Sequence, residues 1–174
     1  MREKASSYVG DLTVKVGDII SFPVFQIHSL RHGIKVIEFQ TPHYERLILM
    51  FAQKVLTQNR WDIEEAISKM ETEVYQPPKL ECIYNSEYLN VERFTDFPQF
   101  NFDRIRIAPN NSFEVQLDRQ YQLLIIISGR AALVSQSGNS INIEKEEALF
   151  LPLAMERYII ENNGDNQLIC LKAT

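Results

Sequence analysis

The sequence predicts an all-β protein of the sandwich or jelly-roll type, with one helix inserted after its first strands. Short apolar runs and period-two alternation dominate the chain. Turn-forming stretches separate them, among them residues 109–111 (PNN), 137–139 (SGN) and 162–165 (NNGD). Only one segment has helical periodicity. Many short strands at regular intervals are typical of sandwiches and barrels.

The first elements are predicted strands at residues 12–16 (LTVKV), 18–25 (DIISFPVF) and 34–39 (IKVIEF). The last two are joined by the stretch HSLRHG, in which Gly33 serves as the turn residue. Residues 46–52 (RLILMFA) are either another strand or the start of a helix, since periodicity cannot separate the two over so short a run.

The helix is predicted over residues 61–74 (WDIEEAISKMETEV). Asp62, followed three residues later by Glu65, resembles a capping box with Asp in place of Ser or Thr. The prolines in residues 76–79 (QPPK) end the helix, because proline cannot donate a backbone hydrogen bond and restrains the residue before it. The apolar side chains at helical spacing are Ile63, Ala66, Ile67, Met70 and Val74.

Residues 80–174 return to strands and contain enough of them for a complete barrel. The predicted strands are residues 80–84, 89–94, 102–108, 112–117, 121–128, 130–136, 140–144, 148–153, 156–162 and 166–173.

Composition excludes several classes of protein. The 174 residues are 45% hydrophobic and 24% charged, which is ordinary for a globular protein. A net charge of −5 and the lack of a basic run argue against nucleic-acid binding. The longest apolar run, residues 123–127, is too short to span a membrane. Cys82 and Cys170 lie far apart and outside any CxxC spacing, so we expect free thiols and a cytoplasmic location.

A motif in the first third of the chain indicates which type of β-barrel the sequence resembles. Gly17, Pro23 and His28 have the spacing of the second cupin motif, which runs glycine, five residues, proline, one residue, glycine, two residues, histidine. Phe25 replaces the second glycine, and His32 replaces the asparagine that ends the motif. The sequence here therefore resembles the cupins, which are small jelly-roll barrels.

The continuation resembles the type I phosphomannose isomerases. In that family the strand leads into a Glu-containing strand, a Thr-Tyr-Arg element and a helix, as residues 35–47 (KVIEFQTPHYERL) and 61–70 do here. Residues 121–160 are similar to the family's C-terminal barrel. The resemblance implies a cupin-type double-stranded β-helix with a truncated first barrel and a complete second barrel, joined by one bridging helix. The implied boundaries are 1–57, 58–79 and 80–174.

The same resemblance implies site residues. His28 would be a ligand of a divalent metal, zinc in that family, and Arg46 would serve in catalysis. A neutral imidazole suits zinc, and a guanidinium can stabilise an enediolate or hold a phosphate. Glu38, on the neighbouring strand, could join His28 as a ligand. Alternatively, His28 is an ordinary strand histidine and Arg46 a surface ion-pair partner.

His32, His43 and Tyr44 are the candidate lining of the substrate pocket, and the two histidines could also complete a makeshift metal site. Residues 1–14 lack the Gln-x-His element and the glutamate that supply the family's other zinc ligands. In the second barrel, motif spacing places Gln122 and Arg157 where ligands are expected, so no cofactor is expected there.

Two functions remain open from the sequence. The first is a phosphomannose isomerase-like protein with degenerate sugar-phosphate isomerase activity. The alternative is a non-catalytic cupin that acts as a small-molecule-binding, regulatory or assembly module, since fold alone does not imply activity. The expected partners are a sugar or sugar phosphate and a second copy of the chain. The open strand edges of the truncated first barrel, near residues 10–40, would be covered by an identical chain, which gives a homodimer, or by the second barrel.

Overall fold

The computed structural model describes residues 9–40, 47–48, 63–94, 100–117 and 120–174. The chain divides into two units, Met1–Ile19 with Pro78–Thr174, and Ile20–Pro77. No helix within the described ranges combines the length and the apolar character needed to cross a bilayer.

The first unit is a two-sheet barrel, and every described pair of neighbouring strands in it is antiparallel. One sheet has the strand order β1-β2-β3-β10-β5-β8 and the other β4-β9-β6-β7. A 3₁₀ turn, Leu153–Met155, follows β8. The strands are β1 (Leu80–Asn85), β2 (Leu89–Phe94), β3 (Phe102–Ile107), β4 (Asn111–Gln116), β5 (Gln122–Ser128), β6 (Ala131–Ser135), β7 (Ser140–Ile143), β8 (Ala148–Leu151), β9 (Arg157–Asn162) and β10 (Leu168–Ala173).

Alternate residues of the two sheets enclose one apolar core. Ile105 and Leu124 of the larger sheet and Leu133 and Ile160 of the smaller one are buried in the same cluster. Because side chains alternate between the faces of a strand, each strand contributes its residues of one parity to this interior. The all-β jelly roll predicted for residues 80–174 is confirmed.

A charged network lies on the outer face of the larger sheet. The Glu92 carboxylate accepts hydrogen bonds at 3.0 and 2.7 Å from Arg104 Nε and Nη2, and also binds Arg106. Arg104 Nη1 donates to the carbonyl of Gly17, so the same guanidinium ties the N-terminal segment to the barrel. Gly17 has a φ of +88°, which L side chains rarely adopt.

The second unit contains the helix α1 (Ile63–Lys69) and a parallel bridge between Gln26 and Glu71. The Glu71 N–H donates to the carbonyl of Phe25 at 3.0 Å, which holds the segment before His28 against the residues that follow the helix. The helix ends five residues earlier than the pattern predicts. The chain leaves the helix at Met70 and pairs with Gln26 instead.

The strand predictions at residues 12–16, 18–25 and 34–39 were wrong. None of these three described segments forms a strand. The adjacent residue Gln26 takes part in a single bridge, with Glu71. An alternating apolar pattern becomes a strand only where a partner strand satisfies its backbone groups. Most of residues 46–52, predicted as strand or helix, lie outside the described residues, and the proposed boundaries at residues 57 and 79 stay a prediction.

Candidate functional site

The interior of the barrel carries a buried ion cluster at one end. Arg93, Asp103 and Lys172 lie at alternate positions of β2, β3 and β10 whose side chains point into the barrel. The register places Asp103 opposite both Arg93 and Lys172. Arg93 Nε and Nη2 donate to the two Asp103 oxygens at 2.8 and 3.1 Å. Lys172 Nζ lies 2.7 Å from Asp103 Oδ2. Asp103 is only 2% exposed, so two cations neutralise a carboxylate that water does not reach.

The pKa values of the cluster follow from this geometry. Burial alone raises the pKa of Asp103, but hydrogen bonds and charge from Arg93 and Lys172 outweigh it and hold the pKa below its ordinary value. The hydrogen bond to Asp103 raises the pKa of Arg93, with a further contribution from Glu81 on the neighbouring strand. Asp103 and Arg93 are therefore both charged at neutral pH.

A second buried pair lies in the same interior. The Tyr158 hydroxyl donates to Gln122 Oε1 at 2.8 Å, and both side chains are almost fully buried. Burial raises the pKa of Tyr158 well above its ordinary value, with smaller contributions from Cys170 and Asp103. Tyr158 therefore stays a neutral hydrogen-bond donor throughout the ordinary pH range.

An open cleft of about 590 Å³ lies at the β6–β7 hairpin and the 3₁₀ turn. Beside the cleft, the register pairs Ser135 of β6 with the buried Tyr158 of β9. The Ser135 and Ser137 hydroxyls are 2.9 Å apart, and Asn139 Nδ2 donates to Ser137 at 3.1 Å. None of the lining residues that the structure describes is charged; they are Leu133, Ser135, Gln136, Ser137, Asn139, Ile141, Ala154 and Met155.

The predicted metal ligands lie in the second unit. His28 is exposed and stacks on Phe22, with 4.2 Å between ring centroids. Its Nδ1 lies 2.9 Å from the carbonyl of Gln26. Since a carbonyl can only accept, Nδ1 carries the proton and Nε2 keeps its lone pair. Glu38 and His32 are also exposed.

The described residues do not assemble a metal centre in this unit. Within the described ranges, no three His, Cys, Asp or Glu side chains come together as a metal site requires. His43, Tyr44 and Arg46 lie outside the described residues, so their predicted roles stay predictions. A catalytic zinc site normally has three protein ligands, and the described donors do not fit one.

The barrel interior does not fit a divalent cation either. Its carboxylate, Asp103, is already bonded to two cationic side chains, which would repel a metal ion. The motif spacing predicts that Gln122 and Arg157 take the positions of ligands, which would point into the barrel. Gln122 is buried and points inward, whereas Arg157 does not. Arg157 is exposed, and its neighbour Tyr158 points inward, so the motif count is displaced by one residue there.

Sequence reasoning missed Arg93, Asp103 and Lys172. The signal was available in the alternation of the strands: Leu89 and Val91 predict that position 93 points inward, and the same count reaches positions 103 and 172 on β3 and β10. A charged residue at one of the inward-facing alternate positions of a strand indicates an ion pair in the interior, because burying an unpaired charge there would cost too much free energy.

No family model and no curated protein matches the chain. Solved structures do. Mannose 6-phosphate isomerase from Bacillus subtilis is 13% identical, with a TM-score of 0.54 over 67% of this chain and 35% of that one. The chain thus spans about a third of that enzyme's length. A Cupin 2 conserved barrel domain protein from Salinispora arenicola is 24% identical, with a TM-score of 0.44, over 55% of this chain and 79% of that one. The fold of residues 80–174 is a cupin-type double-stranded β-helix.

Proposed function

We propose that residues 80–174 form a binding barrel that works without a metal ion and holds a small, uncharged, hydroxyl-rich molecule at its mouth. The observation that carries this proposal is the cleft at the β6–β7 hairpin. Its described lining residues combine hydroxyl and amide groups with apolar side chains, and none of them is charged. Its volume of about 590 Å³ falls within the range of ordinary ligand pockets.

The lining suits a neutral sugar or a similar polyol. Ser135, Ser137 and Asn139 already bond to one another, so their donors and acceptors are oriented before a ligand arrives. Ile141, which is 49% exposed, provides an apolar surface for the C–H face of a sugar ring. Among the described residues that line the cleft there is no lysine or arginine to pair with a phosphate, and this favours a neutral sugar over a sugar phosphate.

Calorimetric titration with mannose, fructose and mannose 6-phosphate tests the proposal. We expect saturable binding of a neutral sugar that survives treatment with a metal chelator, and weaker binding of Asn139→Ala. Asn142→Ala is the matched control, because Asn142 is exposed on β7 three residues further along the hairpin and outside the cleft lining. The proposal fails if no neutral sugar binds, or if the chelator abolishes binding.

A second candidate function is a phosphomannose isomerase-like activity, with His28 and Glu38 as metal ligands and Arg46 beside the substrate. Two observations favour it. The structural likeness to the Bacillus subtilis isomerase covers 67% of the chain. The barrel strands β1 to β10 and their turns make up a smaller share of the chain, so the likeness extends beyond them. The hydrogen bond from His28 Nδ1 also orients the ring as metal-binding histidines usually are, with Nε2 available.

Elemental analysis of the purified protein separates the two candidates. Near-stoichiometric zinc, iron or manganese that is lost in His28→Ala, together with conversion of mannose 6-phosphate to fructose 6-phosphate, supports the isomerase. Metal-free protein that binds a neutral sugar and does not convert the phosphate supports the binding barrel.

A further inference from the structure

We propose that two copies of this chain associate through β8, which pairs antiparallel with β8 of a second copy and joins the two six-stranded sheets. This inference is independent of the ligand at the barrel mouth. It rests on the chemistry of the strand edges, on the hydrogen-bonding phase of β8 and on the side chains that the pairing would bring together.

Among the described edge strands, β8 has the most apolar sequence. The two sheets end at β1, β8, β4 and β7. Edge strands normally carry charges, bulges or polar residues that discourage association. β1 has Glu81 and an irregular register near Cys82, β4 has Glu114, and β7 is half serine and asparagine. The four residues of β8, Ala148–Leu151, are all apolar.

The hydrogen bonds to β5 show which groups of β8 face outward. The Ile126 N–H donates to Glu147 O at 3.0 Å, and the Glu146 N–H donates to Ile126 O at 2.8 Å. Because antiparallel pairs alternate in bonding, Leu149 and Leu151 then bond to β5. The backbone groups of Ala148 and Phe150 therefore point to the free edge.

One register uses both of these residues. A two-fold axis at Leu149 places Ala148 opposite Phe150 of the second copy, and Phe150 opposite Ala148, which gives four backbone hydrogen bonds. A shift toward the C-terminal end would bring Pro152 into the ladder, where it has no N–H to donate. A shift toward the N-terminal end would place Phe150 opposite the charged Glu146.

The side chains are complementary in this register. Phe150 is 61% exposed, and in the pair each phenyl ring covers the small Ala148 of the other copy. Tyr121, 59% exposed, lies 5.3 Å from Phe150 between ring centroids and extends the apolar surface. Glu147 falls opposite Leu151, so the two Glu147 carboxylates are separated by about 13 Å along the strands. Charge repulsion therefore does not oppose the pairing.

Sedimentation velocity of the chain over a range of concentrations tests the proposal. We expect twice the chain mass for the parent protein and a single chain mass for Phe150→Lys, which puts a charge on the edge. Ala148→Pro removes an outward N–H and should also give single chains. The matched control, Tyr84→Lys, changes an exposed aromatic on the opposite edge strand β1 and should remain a dimer. Circular dichroism verifies that each variant is folded.

Cross-linking gives a positive test of the register. Leu149 of each copy would lie on the two-fold axis in a non-hydrogen-bonded pair, whose Cβ separation suits a disulfide. Leu149→Cys in a Cys82→Ser background should form a covalent dimer on oxidation, and Cys82→Ser alone should not. The proposal is overturned by a parent protein that stays single at every concentration, by a Phe150→Lys dimer, or by a Leu149→Cys variant that dimerises without cross-linking.

Discussion

Asp103 and Lys172 form an ion pair inside the barrel, with 2.7 Å between the carboxylate Oδ2 and the ammonium Nζ. Lys172 belongs to β10, the last strand in sequence, and Asp103 to β3, beside which β10 lies. Arg93 on β2 completes the cluster. Three neighbouring strands thus bring their charges to one end of the barrel interior.

Replacing Asp103 should destabilise the fold, because Lys172, whose side chain is 15% exposed, and the partly exposed Arg93 would keep their charges without this counter-ion. We expect Asp103→Asn to lower the free energy of unfolding by about 3 kcal/mol, measured by urea denaturation at pH 7. Glu114→Gln is the control, since its ion pair with Arg157 is long and exposed and should contribute little. Equal effects of the two substitutions would contradict the interior ion cluster.

The same carboxylate should set part of the pH dependence of stability. The pKa of Asp103 is lower in the folded state, so its contribution is present above the ordinary aspartate pKa of about 4 and is lost as pH falls through the folded value. Urea denaturation between neutral pH and pH 3 should therefore show a smaller loss of stability in Asp103→Asn than in the parent. Parallel curves for the two proteins would refute this.

Removing the hydroxyl of Tyr158 should leave the buried Gln122 amide without its donor. We expect Tyr158→Phe to cost about 1–2 kcal/mol of unfolding free energy. Replacing both partners, in Tyr158→Phe with Gln122→Met, should recover part of the loss, because no buried polar group is then unpaired. A double variant that loses the sum of the two single effects would show that the pair is not coupled.

Gly129 and Gly138 form a matched pair of left-handed glycines, with φ of +87° and +84°. A Cβ at Gly129 would lie 3.3 Å from Leu168 Cα, whereas a Cβ at Gly138 meets nothing within 4 Å. Both alanine substitutions carry the backbone cost of about 1–2 kcal/mol, and only Gly129→Ala adds crowding against β10. Thermal unfolding should therefore place Gly129→Ala below Gly138→Ala. The reverse order would contradict the close approach of the backbones.

Phe25 stands where the cupin motif has glycine, and its φ is +66°. The backbone at Phe25 is thus left-handed, a conformation that is strained for a residue other than glycine. Both Phe25→Ala and Phe25→Gly lose the ring, including its position 5.6 Å below the Lys69 ammonium. Only the glycine relieves the backbone, so Phe25→Gly should be more stable than Phe25→Ala by about 1 kcal/mol. Equal stability would argue against the positive φ.

The barrel could be predicted from the sequence because each of its strands has partners and a buried face. The patterns at residues 102–108 and 121–128 predict strands, and the structure has β3 and β5 there. Residues 34–39 have an equally good apolar pattern, yet Val36 and Ile37 are more than 40% exposed and form no strand. Pattern alone could not reveal this, since a strand depends on a neighbour that the pattern does not contain.

The candidate site was less accessible to sequence reasoning. The motif around Gly17, Pro23 and His28 predicts a site in the first third of the chain. The backbone there has positive φ at Gly17 and Phe25. The interior ion cluster has no sequence motif, because Arg93, Asp103 and Lys172 meet only through the strand order β2-β3-β10. Pairings across such sequence distances follow from topology and not from local spacing.

The position of β10 between β3 and β5 has a consequence for how the protein is made. During synthesis, both of these neighbours leave the ribosome with an unsatisfied edge and wait for the strand that separates them. The larger sheet can close only after residue 173 has emerged, so nascent chains are exposed to misassembly until translation has passed it. A frameshift or a premature stop shortly before Leu168 would therefore remove the centre of the sheet and not merely its border.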